Sequence, residues 1–245
     1  MPDVKLSQLA AASPASVAAG AGLWTMAGHI LGLSMEYVGP ASIRVSSGSA
    51  WIPSLQQAIE VPSALTLSGL TLAANTWYHL YLYLNSSTPA IEAVMTAPAA
   101  PYSGTARAKT GDTTRRYLGS FRTNASAQIL NFVHEGGKVL YQGSYPRPLT
   151  NGTATTEIFV SLADAIPVTA RVANLRHTNN ATNSASRMNN SSGPAYPSFL
   201  ANFAPGADAF IEFVVNADKT VSYWNGVSPT PQGVYLSVIG YTLER

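Results

Sequence analysis

The sequence predicts an all-β protein, built as two β-sandwich-like modules preceded by an N-terminal attachment segment with a short helix. Three observations carry that expectation. The stretch Ala73–Leu84 (AANTWYHLYLYL) places Tyr78, Leu80, Leu82 and Leu84 on one face of an extended strand and Trp77, His79, Tyr81 and Tyr83 on the other. Short apolar segments recur on both sides of it at close spacing, with Gly, Pro or Asn between them. The 245 residues are 46% hydrophobic but only 11% charged, against about 25% in ordinary soluble domains, so Ser, Thr, Asn and Gln must supply most of the surface.

In chain order, residues 3–12 read as a short helix with Leu6 and Leu9 three apart on one side, ended by Ser13-Pro14. A helix of this length is marginal alone, so residues 1–35 read as an attachment segment that orders by docking, with Leu6 and Leu9 as its attachment residues. Val17–Met35 carries no formal charge and is long enough to span a bilayer, but Gly20, Gly22, Gly28 and Gly32 with Thr25, His29 and Ser34 dilute it. Burial against other chains is the expectation there, without membrane insertion. Pro14 and the serines behind Lys5 also interrupt any secretory signal.

From Glu36 the pattern becomes short strands. Ser42–Val45, Ala50–Ile52, Gln57–Val61 and Ala64–Leu70 precede the central strand, and Ile91–Met95 pairs with it as a hairpin across Asn85–Pro89. Arg115–Thr123 and Gln128–Glu135 follow, then a Gly136-Gly137 turn into Lys138–Tyr141. Gln142–Pro148 (QGSYPRP) is the linker candidate, dividing module 36–144 from module 145–245. In the second module Glu157–Ser161, Thr169–Arg176, Ala209–Asn216, Thr220–Trp224 and Gly233–Leu243 read as strands, with a hairpin expected across Asn216–Lys219. Many short uncharged strands indicate sandwiches whose edges need cover, and oligomerisation is one way to supply it.

Catalytic chemistry is not legible. There is no G-x-S-x-G elbow, no cysteine and no glycine-rich phosphate loop, and His29, His79, His134 and His177 stand far apart without a ligand motif. Glu92, Glu157 and Glu212 lie in strand-like segments, where an outer strand face accounts for each. With net charge +2 and no basic run beyond Arg115-Arg116, no nucleic-acid surface is expected. The expectation is a non-enzyme without cofactor or metal. Binding is the open possibility: Thr178–Ser198 reads as a long Asn/Ser/Thr-rich loop in which Arg187 and Tyr196 would hydrogen-bond and stack on a sugar, against the plainer reading of a solvated loop. Trp224 is a stacking platform if exposed and a core ring if buried, and burial is the expectation.

Three stretches carry a family resemblance. KLSQLAAAS (residues 5–13) resembles the short N-terminal segments by which tailed-bacteriophage tail-fibre and baseplate proteins attach to the virion. LTLAANTWYHLYLYLN (residues 70–85) and GDTTRRYLGSFRTNASAQI (residues 111–129) are similar to a β module common in phage tail fibres and prophage tail proteins. The resemblance covers residues 3–12 and about 36–142, and reaches 145–245 only in general character. It implies a receptor-binding virion protein, a homotrimer made in the bacterial host cytoplasm, joined through its N-terminus to other tail or baseplate proteins. Its partner would be a host-surface glycan or protein receptor. A purely structural adaptor or decoration protein is the alternative, and a tailspike-type polysaccharide-degrading enzyme the second.

Overall fold

The computed structural model describes residues 27–190, 195–215 and 217–245. Its strands in chain order are β1 (Ile30–Gly32), β2 (Met35–Gly39), β3 (Ser42–Val45), β4 (Gly48–Ile52), β5 (Gln57–Val61), β6 (Leu65–Leu67), β7 (Trp77–Asn85), β8 (Thr88–Val94), β9 (Ala108–Lys109) and β10 (Asp112–Arg122). They continue with β11 (Phe132–Glu135), β12 (Lys138–Tyr141), β13 (Leu149–Gly152), β14 (Ile158–Ser161), β15 (Ala170–Ala181), β16 (Ser186–Asn190), β17 (Ala201–Phe203), β18 (Asp208–Val214), β19 (Thr220–Asn225) and β20 (Pro231–Leu243). A 3-10 turn at Pro53–Leu55 is the one helical element among the described residues, and the chain is all-β as its pattern predicts. The short helix expected over residues 3–12, with Leu6 and Leu9, lies outside the described residues.

Five antiparallel sheets result, ordered β1-β4-β5, β2-β3-β6, β8-β7-β10-β9, β11-β12-β20-β15-β18 with β13 also on β20, and β14-β19-β16-β17. The expected attachment segment is part of this structure from Ile30 onward. Ile30–Gly32 pairs with β4, and Leu33 and Met35 are buried in the core. Among the described residues no helix is long and apolar enough to cross a membrane.

β7 is the centre of its sheet because both of its faces find cover. Leu80 and Leu82 enter the core, and Tyr78 stacks on Phe121 at 5.6 Å. On the aromatic face Trp77 meets Tyr241 edge-on at 6.1 Å and donates from Nε1 to the Ala163 carbonyl at 3.0 Å. Tyr81 packs on Tyr117 at 5.9 Å, and Arg115 lies 4.0 Å over the Tyr83 ring. The row of rings that suggested an intermolecular contact is therefore covered within the chain. The β7–β8 hairpin forms as expected, turning at Ser86 and Ser87 with φ of 46° and 73°. Gly136-Gly137 turns β11 into β12, likewise with both φ positive, as the twist of a two-residue hairpin requires.

Two features of the second half depart from the local sequence signals. β18 pairs with β15 whereas β19 pairs with β14 and β16, so the two strands lie in different sheets instead of forming a hairpin. Thr178–Ser198 is also not one loop. β15 continues to Ala181, residues 182–185 connect it to β16, and buried amides replace the water that its polar composition suggested. Asn179 Nδ2 donates to the Ser184 carbonyl at 2.9 Å, and Ser186 Oγ meets His177 Nε2 at 3.0 Å between the two sheets. Met188, Phe203, Val221 and Tyr223 from one sheet and Leu175, Val234, Leu236 and Val238 from the other belong to the same buried core.

That core runs without a break from Leu33 to Leu243. Strands β11 and β12, placed by sequence in the first module, hydrogen-bond into the sheet of β20. The expected division at 144/145 therefore does not coincide with a break in pairing. Tyr117 Oη to Thr169 Oγ1 at 2.7 Å and Tyr241 Oη to the Ser120 carbonyl at 2.8 Å also bind the two halves together.

Candidate functional site

The outer face of the β14-β19-β16-β17 sheet gathers the sequence-predicted binding residues. In β19 the alternation sends Val221 and Tyr223 into the sandwich and Trp224 to the opposite side. Register then sets Asn202, Arg187 and Trp224 in one cross-strand row, Arg187 facing Asn202 on β17 and Trp224 on β19. Such directly opposed side chains sit about 5 Å apart at Cβ, close enough to act on one ligand.

Residues 195–200 cross over this row. Asn189, buried on β16, holds them: its Nδ2 donates to the Ser198 carbonyl at 3.0 Å, and its Oδ1 accepts from the Leu200 amide at 2.7 Å. Tyr196 and Phe199 are thereby set edge-on to Trp224, with centroids 5.4 Å and 6.5 Å away. The indole is 2% exposed beneath them, whereas Tyr196 and Phe199 remain 47% and 44% exposed. Trp224 is thus the buried base that burial of so large a ring favours, and the two rings above it form the accessible surface. Phe159, across from Ser222 one pair along, extends the same face with 63% exposure.

Arg187 is the cation on this face, which Glu157 shares through its bond from the Ser222 hydroxyl. Its guanidinium carbon lies 5.5 Å from the Phe199 centroid. It also lies against Gly226, where a Cβ would come within 3.2 Å of Nη1. Among the described residues it makes no ion pair and no hydrogen bond. Every other arginine has a polar partner: Arg44, Arg107, Arg115, Arg122, Arg171 and Arg176 pair with carboxylates, Arg116 and Arg245 donate to backbone carbonyls, and Arg147 donates to Ser237.

Sequence reasoning therefore named Arg187, Tyr196 and Trp224, and the fold brings all three together. It missed Phe199, Asn202 and Phe159. The apolar run YPSFL at 196–200 inside a polar stretch was the available signal for Phe199, but Asn202 joins the row only through strand register. Leu6 and Leu9 lie outside the described residues.

A second concavity, of about 270 Å³, opens between the halves, lined by Trp77, His79, Ala163, Val168, Asp218 and Lys219 among others. His79 Nδ1 is 2.7 Å from Ser120 Oγ, and burial holds its pKa down at about 4, so the ring is neutral at pH 7. Lys219 Nζ donates to the Ala170 carbonyl at 2.6 Å, and burial lowers its pKa as well. Glu92 is paired with Lys109 and Arg115, Glu212 with Lys138, and Glu157 accepts from Ser222, so each of these acids is engaged locally. Among the described residues no three His, Cys, Asp or Glu side chains stand together as metal ligands. No family model matches the chain, and no curated protein matches it.

Proposed function

We propose that the chain is a tail-fibre-type virion protein of a tailed bacteriophage that contributes to host-surface recognition through the outer face of the β14-β19-β16-β17 sheet. The observation that carries this reading is the pair of half-exposed rings, Tyr196 and Phe199, seated on a buried Trp224 beside an arginine with no polar partner among the described residues. Rigid aromatic anchors flanked by a few polar groups are the usual makings of a recognition surface. The resemblance of residues 5–13, 70–85 and 111–129 to phage tail modules supplies the setting, and the low charge content agrees with it. Homotrimeric assembly belongs to the same proposal, and a solution mass equal to the 25.8 kDa of one chain contradicts it.

The test is binding of the fluorescently labelled full chain to a panel of bacterial strains. A strain that is labelled should lose more than about tenfold of that binding with the Y196A/F199A double variant, at unchanged circular dichroism. Full binding by the folded double variant removes this face from the account.

A structural joining role is the second reading, favoured by one observation. The outer face of the six-stranded sheet exposes Phe210 at 71%, Val214 at 60% and Leu140 at 39%, an apolar surface of the kind that meets another protein.

A further inference from the structure

We infer that the Arg187 face is selective for a saccharide bearing a carboxylate, a uronate or a sialate residue, which the guanidinium pairs while the Tyr196 and Phe199 rings carry the sugar. This rests on the recognition reading above and narrows it to a ligand class. A guanidinium offers five donors in a planar fork that matches a carboxylate with two parallel hydrogen bonds. The nine other arginines each have at least one polar partner, whereas Arg187 has none among the described residues, at a half-buried position beside an aromatic ring. Partial desolvation there strengthens any ion pair the ligand completes.

Position supports the same reading. Gly226 leaves room beside the guanidinium, since a Cβ at that residue would stand 3.2 Å from Nη1 and make it give by a few tenths of an ångström. Asn202, exposed and opposite Arg187 in the register, adds an amide without a partner among the described residues, suited to a sugar hydroxyl. The two half-exposed rings present flat apolar surface to the C–H face of a pyranose. One cation beside rings fits an isolated carboxylate. A polyphosphate or a nucleic acid would call for a basic stripe, and the chain has net charge +2 with no such run. An acidic peptide has the charge but not the ring faces.

The experiment is interferometry of the full chain against immobilised polygalacturonate and α2,8-linked polysialate, each beside its methyl ester, with poly-glutamate as the peptide probe. Wild type should bind one acidic polymer at least about tenfold tighter than its ester, the scale of one charge-assisted contact, and tighter than poly-glutamate. Which polymer is preferred separates the uronate from the sialate source. R187Q should fall to the ester level on the acidic polymer and leave ester binding unchanged. G226A, which keeps the charge but shifts the guanidinium, should lose part of the preference, so the inference does not hang on one variant. Equal binding of acid and ester, or full preference in R187Q, overturns the carboxylate selectivity while the recognition face stands. Undiminished binding by Y196A/F199A overturns the face itself. Binding to neither polymer, or equal binding to poly-glutamate, overturns the saccharide class.

Discussion

His79, His134 and His177 each sit where burial holds the ring neutral, with pKa pushed down to about 4. An unfolded histidine titrates near 6.5. Between those values the unfolded chain binds more protons than the folded one, so stability falls as pH drops from 6.5 towards 4 and is constant above 6.5 on this account. For fully buried His177, stacked on Phe203 at 3.9 Å, the loss approaches about 3 kcal/mol at pH 4. Urea midpoints across pH 4–7 check this: the slope should correspond to more than one proton, and H177F should flatten it by about one. An unchanged slope in H177F removes His177 from the acid response. At this scale the sequence was a good guide to single rings. Trp224 read as a buried ring, and it is so placed. Asn179, Ser186 and Asn189 misled for one physical reason. Buried polar side chains that hydrogen-bond within the fold have the same composition as a solvated loop.

Among the elements β20 does most to join the sheet, pairing with β12, β13 and β15 along its thirteen residues. It approaches β12 closely at Gly240, where a Cβ would stand 2.3 Å from the Val139 carbonyl oxygen. Because that neighbour is backbone, it cannot swing aside. G240A should cost about 1–3 kcal/mol and raise amide exchange selectively in the β11–β12 hairpin. Wild-type stability in G240A would mean that β12 is not held against β20 in solution. The tight hairpins β7–β8 and β11–β12 were legible because their turns are two residues long and specify the partner strand. The expectation of a hairpin between β18 and β19 failed because turn residues report a change of direction, not which sheet the next strand enters. β16 and β17 were hidden by composition, and with them the cross-strand row that positions Arg187.

For the whole molecule, fold class was legible from the alternation in β7 and the recurrence of short strands, but the connection between halves was not. No local pattern announces that Lys138–Leu140 will pair with Gly240–Thr242, about a hundred residues on, or that Tyr117 will reach Thr169. The result is one continuous core beneath two outward faces of different character. One carries Tyr196, Phe199 and Arg187; the other carries Phe210, Val214 and Leu140 with the Lys138–Glu212 ion pair. The account assigns host contact to the first. Hydrogen–deuterium exchange of the full chain, with and without envelope material from a bacterium it binds, tests that most directly. The account predicts added protection within residues 186–190 and 195–203 and none over 208–214. Protection confined to 138–140 and 208–214 would contradict it and assign the contact to the six-stranded sheet.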